Sequence, residues 1–136
     1  MIENGEIKNI LRKLVLASSF GSIKVYKSET SVPSITREAN FERVLINVLI
    51  NRKGGWSEGV ANVNICVPDI NPRGYWESNE ARLTELNKKA IAWVGDGLVG
   101  DNNGSKYAFF LDSVREERDE ATFSHFINIR LNFQTL

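Results

Sequence analysis

The chain has 136 residues, 42% of them hydrophobic and 25% charged, an ordinary globular composition that excludes disorder along its whole length. Seventeen basic and seventeen acidic side chains balance to a formal net charge of zero, so the basic excess typical of nucleic-acid-binding domains is missing. The single cysteine, Cys66, allows no internal disulfide, and no apolar stretch reaches the roughly 18 residues that a transmembrane helix needs. The length favours one domain over residues 1–136, with a core that needs no metal or disulfide to hold it. The early acids Glu3 and Glu6 argue against a secretory signal, and a cytoplasmic origin is expected.

From Glu6 to Ala17 the apolar residues Ile7, Ile10, Leu11, Leu14 and Val15 recur at helical spacing, and Ser18, Ser19 and Gly21 end the helix. A short strand over Ser22–Lys27 follows, then a polar loop from Ser28 to Ala39 that contains Pro33. Phe41–Arg52 is the strongest strand signal: Val44, Ile46, Val48 and Ile50 alternate with Leu45, Asn47, Leu49 and Asn51. A second alternating run, Val60–Val67, puts Ala61, Val63, Ile65 and Val67 on one side, and the glycine-rich segment Lys53–Gly59 joins the two runs as an antiparallel hairpin. Pro68 stops the second strand.

Asp69–Trp76 is a loop. Ser78 or Asn79 caps a helix over Glu80–Val94, whose apolar face is Leu83, Leu86, Ala90 and Trp93 and whose end is Gly95-Asp96-Gly97. Gly100–Gly104 reads as a turn, Tyr107–Val114 as a strand and Arg115–Glu120 as an exposed charged turn. A long last strand alternates Phe123, His125, Ile127, Ile129, Leu131 and Phe133 with polar partners. The order α-β-β-β-α-β-β predicts a two-layer α+β fold: a twisted antiparallel sheet with both helices on one face. Val44, Ile46, Val48, Ile50, Val63, Ile65, Ile127 and Ile129 are expected to share a core with Leu11, Leu14, Leu83, Leu86 and Trp93.

Several patterns look chemical, and each has a plainer reading. Gly95-Asp96-Gly97-Leu98-Val99-Gly100 matches G-x-G-x-x-G, but it follows a helix where a dinucleotide site needs a strand before and a helix after. Asp69, Asn71, Gly74 and Glu80 fall at calcium-loop spacing, but Arg73 stands where a ligand oxygen is required. Cys66 and His125 both fall inside predicted strands, away from the loops where catalytic pairs concentrate. The acids of Arg115–Glu120 read as a solvated tip, and Asn103-Gly104-Ser105 is a glycosylation sequon that has meaning only in a secreted chain. No catalytic residue, cofactor or metal is expected. The large loop aromatics Trp56, Tyr75 and Trp76 either fold back over the core edges or serve as contact residues.

Taken in order, the chain resembles the small phage tail-completion proteins, the tail terminators and related head-tail joining proteins. The likeness lies in an opening amphipathic helix, a strand ending in Val25-Tyr26 with Pro33 nearby, and a strand Leu45-Ile46-Asn47-Val48-Leu49-Ile50 with the polar end Asn51-Arg52. The helix Glu80–Val94 and the closing segment Arg118–Arg130 complete it, and the loop Asp69–Ser78 is longer than the family pattern. The resemblance implies a non-enzymatic virion protein assembled in the bacterial host cytoplasm. It implies a ring of identical subunits, usually six, at the tail end or head-tail junction, with tail tube or connector proteins as partners, DNA only passing through the lumen, and no membrane.

On that reading the contact residues are Lys53 and Trp56 in the hairpin loop, Arg73, Tyr75 and Trp76 in the following loop, and Glu116 and Glu117 in the acidic run. Lys53 and Arg73 are expected to meet the acidic run of the next subunit. The alternative is a small cytoplasmic ligand- or peptide-binding module built around Trp56, Tyr75 and Trp76; a third reading is an enzyme using Cys66, His125 or the acidic run.

Overall fold

A computed structural model of the chain describes residues 3–54 and 57–135. Among them the order is α1 (Asn4–Leu16), β1 (Lys24–Tyr26), β2 (Arg43–Lys53), β3 (Ser57–Pro68), α2 (Glu80–Val94), β4 (Leu98–Asn102), β5 (Ser105–Asp119) and β6 (Ser124–Thr135), with single 3-10 turns at Glu29–Ser31 and Glu120–Thr122. The strands form one six-stranded sheet in the order β1-β2-β3-β6-β5-β4. The fold is α+β, as the periodicities predict.

The period-2 runs set the register. Val44 lies opposite Ile65 and Ile65 opposite Ile127; Ile46 lies opposite Val63 and Val63 opposite Ile129. Directly opposed side chains share a face, and all six are buried in one core cluster. The helices cover that face: α1 through Ile7, Ile10, Leu11 and Val15, α2 through Leu83, Leu86, Ala90 and Val94. Each fully buried aliphatic side chain contributes about 2 kcal/mol. Leu14 and Trp93 pack half-buried at the margin, and Trp93 stands edge-on to buried Phe20 with ring centroids 5.7 Å apart.

The helix ends use the expected signals. Asn79 accepts the Arg82 backbone N–H at 3.3 Å, and Gly95, at φ +52°, ends α2 with its N–H on the Ile91 carbonyl. Arg82 donates from Nε and Nη2 to the two oxygens of Glu42, at 2.8 and 2.7 Å, which ties α2 to the entry of β2.

Four expectations change. The sheet is mixed, because β1 runs parallel to β2; the polar segment 27–42 carries the chain back to the end from which β1 started, as a parallel neighbour requires. Ile50 leaves the core: a bulge between Val48 and Ile50 places Ile50 opposite Val60 on the other face, where it is 40% exposed. One extra residue in a strand reverses the parity of everything beyond it. Leu98–Asn102 forms the strand β4, which takes in the first part of the expected turn Gly100–Gly104, so the order is α-β-β-β-α-β-β-β. Last, Arg115–Asp119 continues β5, and the turn falls at Glu120–Thr122.

The β4–β5 hairpin explains its own glycines. A Cβ on Gly100 would meet the Tyr107 hydroxyl at 2.4 Å, and one on Gly97 would meet the Phe110 ring at 2.8 Å. Two rings lie where side chains would stand, and the connection is the two-residue turn Asn103-Gly104, with φ +53° and +87°, the type I′ pattern.

Candidate interaction surfaces

The sheet has one face without helices. Its ladder rows can be read across β2, β3, β6 and β5: Leu45, Asn64, Asn128, Arg115; then Asn47, Asn62, Arg130, Ser113; then Ile50, Val60, Asn132, Phe110. Amides hold the centre. Asn128 Nδ2 donates to Asn64 Oδ1 at 2.6 Å, and Arg130 Nε sits 3.2 Å from Asp112 Oδ2. Asn47 Oδ1, Asn62 Oδ1 and Ser113 Oγ are buried without a hydrogen-bond partner among the described residues. Exposed Leu49, Ile50 and Phe110 rim the amides, and a cavity of about 250 Å3 opens between Ile50, Val60 and Phe133. Alternation alone had marked these asparagines as the non-core side of their strands; that four of them converge required the strand order.

The predicted contact residues fall at two ends of the sheet. Lys53 ends β2, with its backbone paired to Ser57; its side chain and Trp56 lie outside the described residues. Arg73, Tyr75 and Trp76 lie at the opposite end, on the loop that follows Pro68. Reciprocal backbone bonds between Ile70 and Glu77, both 2.8 Å, close this loop. Arg73 is mostly exposed and pairs with Glu77 at 3.8 Å. Tyr75 is 53% and Trp76 42% exposed. The Arg37 guanidinium lies between two rings, 4.8 Å from the Trp76 centroid and 4.7 Å from that of Phe123. Trp76 therefore fastens its loop to the segment before β2 and still shows an open edge.

Glu116 and Glu117 are exposed on β5, opposite Ile127 and Phe126. They belong to the Trp76 end, because β5 finishes beside Ser124, whose other neighbour is Pro68. Arg73 and the acidic run thus share one end of the molecule, and Lys53 stands at the other. A cavity of about 340 Å3 near the loop is lined by Ile70, Arg73, Glu77 and the first residues of α2; Tyr75 and Trp76 are not part of its wall.

The chemical candidates are separated. Cys66 is opposite Phe126 and Val67 is opposite His125, so Cys66 and His125 face opposite sides of the sheet. Burial pushes the Cys66 thiol up to about 11, against the pull of the Arg43 guanidinium. His125 Nδ1 lies 2.8 Å from Asp69 Oδ1, so the first acid of the calcium-like spacing is turned toward the ring. Among the described residues, no three His, Cys, Asp or Glu side chains converge in a way that could hold a metal, and no helix is long and apolar enough to cross a membrane. The G-x-G-x-x-G segment leaves α2 and enters β4.

No family model matches the chain, and no curated protein matches it. Among solved structures, one chain of 17% identity aligns over 96% of this chain and 90% of its own, with a TM-score of 0.44, a likeness too slight to carry an argument.

Proposed function

We propose that the protein is a non-enzymatic structural subunit of a phage particle, forming a homo-oligomeric ring, six-fold, at the tail end or the head-tail junction. The observation that carries this reading is the chain-order pattern: an opening amphipathic helix, the Val25-Tyr26 strand with Pro33, the paired strands with Asn51-Arg52 at the turn, the crossing helix and the closing strands. The physical shape supports it. A neutral chain with both helices on one face leaves the other sheet face without helices and ends its sheet on two edge strands, β1 and β4, and rotationally repeated contacts between such surfaces close into rings. The partners are further copies of the chain and tail tube or connector proteins, with DNA passing through the lumen.

The test is assembly in the presence of tail tubes. Purified protein is added to tubes made without it, and the ends are imaged by electron microscopy. Ring density at one end, with full-length particles that retain DNA, is the expected result. Bare tube ends at saturating protein overturn the reading.

A further inference from the structure

The chain is neutral as a whole, yet its charges are sorted to the two ends of β5. Where β5 begins, α1 and the β4–β5 turn enclose a cavity of about 420 Å3, lined from α1 by Arg12, Lys13, Asn9 and the single carboxylate Glu6, and from the turn by amide and hydroxyl side chains. Lys8 and Lys27 adjoin it: Lys27 Nζ donates to Asn9 Oδ1 at 2.6 Å, and Lys8 Nζ to the Lys27 carbonyl at 2.9 Å. Lys13 Nζ donates to Asn102 Oδ1 at 3.2 Å. Among the described residues the acceptors of these three ammonium groups are neutral oxygens, so their charge is oriented but not cancelled there. Where β5 ends, Glu116, Glu117, Asp119 and Glu120 outnumber Arg115 and Arg118, four to two. Arg118 reaches Glu120 at 3.3 Å, and both are largely exposed.

Along β5 the eleven steps from Ser105 to Glu116 separate the two patches, on the order of 35 Å. That is several times the screening length of about 8–10 Å in ordinary salt. Within one copy the patches cannot neutralise each other; between copies they can, and only head to tail. We infer that the basic cavity over α1 receives the acidic end of β5 from a second copy of the chain. The inference rests on the ring reading and names its interface. A short concavity on the surface, with two cations and several amides in its wall, suits a protruding acidic side chain, whereas duplex DNA calls for a longer basic track. The contact is heterologous. It differs from the pairing expected from the sequence: Arg73 lies at the acidic end of its own subunit, and here α1 supplies the cations.

The full chain is examined by sedimentation velocity at low and high salt. The wild type is expected to associate at low salt and to dissociate as salt rises. Reversal of the basic side (Arg12→Glu with Lys13→Glu) and of the acidic side (Glu117→Lys with Glu120→Lys) should each weaken association about tenfold or more. Each variant alone stays weak, an equimolar mixture of the two restores association because each then meets opposite charge on the other, and all four changes in one chain restore it with the signs exchanged. Circular dichroism checks folding, and Arg12→Gln gives a milder reading if the double reversal misfolds. A wild type that stays monomeric at every concentration overturns the inference, as does association unaffected by the reversals. So does duplex DNA binding that the basic reversal abolishes. A closed ring that survives both reversals sinks this interface and leaves the ring reading intact; open-ended chains that respond to them support the interface and sink the ring.

Discussion

At the scale of single residues, Cys66 and Trp76 are the most informative. The Cys66 thiol, raised by burial to about 11, is ionised in about one molecule in a thousand at pH 8, and only the thiolate reacts. Native protein should therefore label with a thiol reagent far more slowly than urea-unfolded protein; equal rates would mean an accessible sulfur. The sign of the pH effect follows. The folded chain holds this proton more tightly than the unfolded one, so the thiol's contribution is full below its ordinary value of 9.0 and is lost as pH rises from 9 toward 11. Trp76 is legible in the sequence as a large loop aromatic; its partner Arg37 is not, because the stack joins segments some 40 residues apart in an irregular loop. Trp76→Ala should fold with a loss of about 1 kcal/mol from the cation–π contact and fail to support particle assembly. Full-length, DNA-retaining particles from this variant would show that the exposed edge of Trp76 is not a contact.

At the scale of elements, the two bulges decide what the alternation pattern could and could not reveal. β3 and β6 pair without a bulge, so their core-face residues are legible directly, whereas Cys66 and Ser124 are buried on the other face, against the alternation. In β2 the pattern continues through Val48 and Ile50 with no local mark of the extra residue, because a bulge is fixed by the neighbouring strand and not by its own sequence. The second bulge, between Leu111 and Ser113 on β5, is equally silent. β4 was hidden for another reason: Gly100 signals a turn, and only the Tyr107 ring over it shows it to be a strand residue. The charged end of β5 imitates a turn because that part of the strand is exposed, so no apolar period survives there. The bulge on β2 also explains Gly59. A Cβ there would lie 1.8 Å from the Ile50 carbonyl oxygen, which is backbone and cannot yield. Gly59→Ala should cost about 3 kcal/mol in a denaturant titration. Gly5→Ala, in the first turn of α1 with open space around its Cβ, should gain about 0.5 kcal/mol.

At the scale of the molecule, the two faces of the sheet are governed by opposite rules. The helix side is apolar and closed; Ile65→Ala there should cost about 3 kcal/mol through the cavity it leaves. The open side is polar at its centre, where the row Asn47, Asn62, Arg130 and Ser113 separates the apolar patch of Leu49, Ile50 and Phe110 from Leu45. Asn47→Val combined with Asn62→Val, in the row between the two patches, should preserve the fold, since strand positions accept β-branched residues, but join those patches into one apolar surface. Concentration-dependent light scattering by the variant is expected, and a variant as monodisperse as the wild type would remove that role from the amides. That Lys53 and Arg73 stand at opposite poles was legible, since the expected strand Val60–Val67 lies between their loops; that Glu116 and Glu117 belong to a strand reaching the Arg73 end was not, because the charged segment imitates a turn.

The Asn103-Gly104 turn carries a consequence for the age of a sample. Asparagine before glycine is prone to deamidate, because the following nitrogen can attack the side-chain amide and close a succinimide ring. Here that nitrogen is engaged: the Gly104 N–H donates to Asp101 Oδ1 at 2.9 Å, and Asn103 is held at φ +53°. The turn restrains the reaction, and Asp101→Ala should release it, readable by mass spectrometry as a gain of one dalton at Asn103 during storage. Asn103 also lines the basic cavity over α1, so each molecule that ages acquires a carboxylate of its own beside Arg12 and Lys13. An old preparation would then carry the acidic group that a neighbour is meant to bring, and its loss of association would mark time as a charge substitution does.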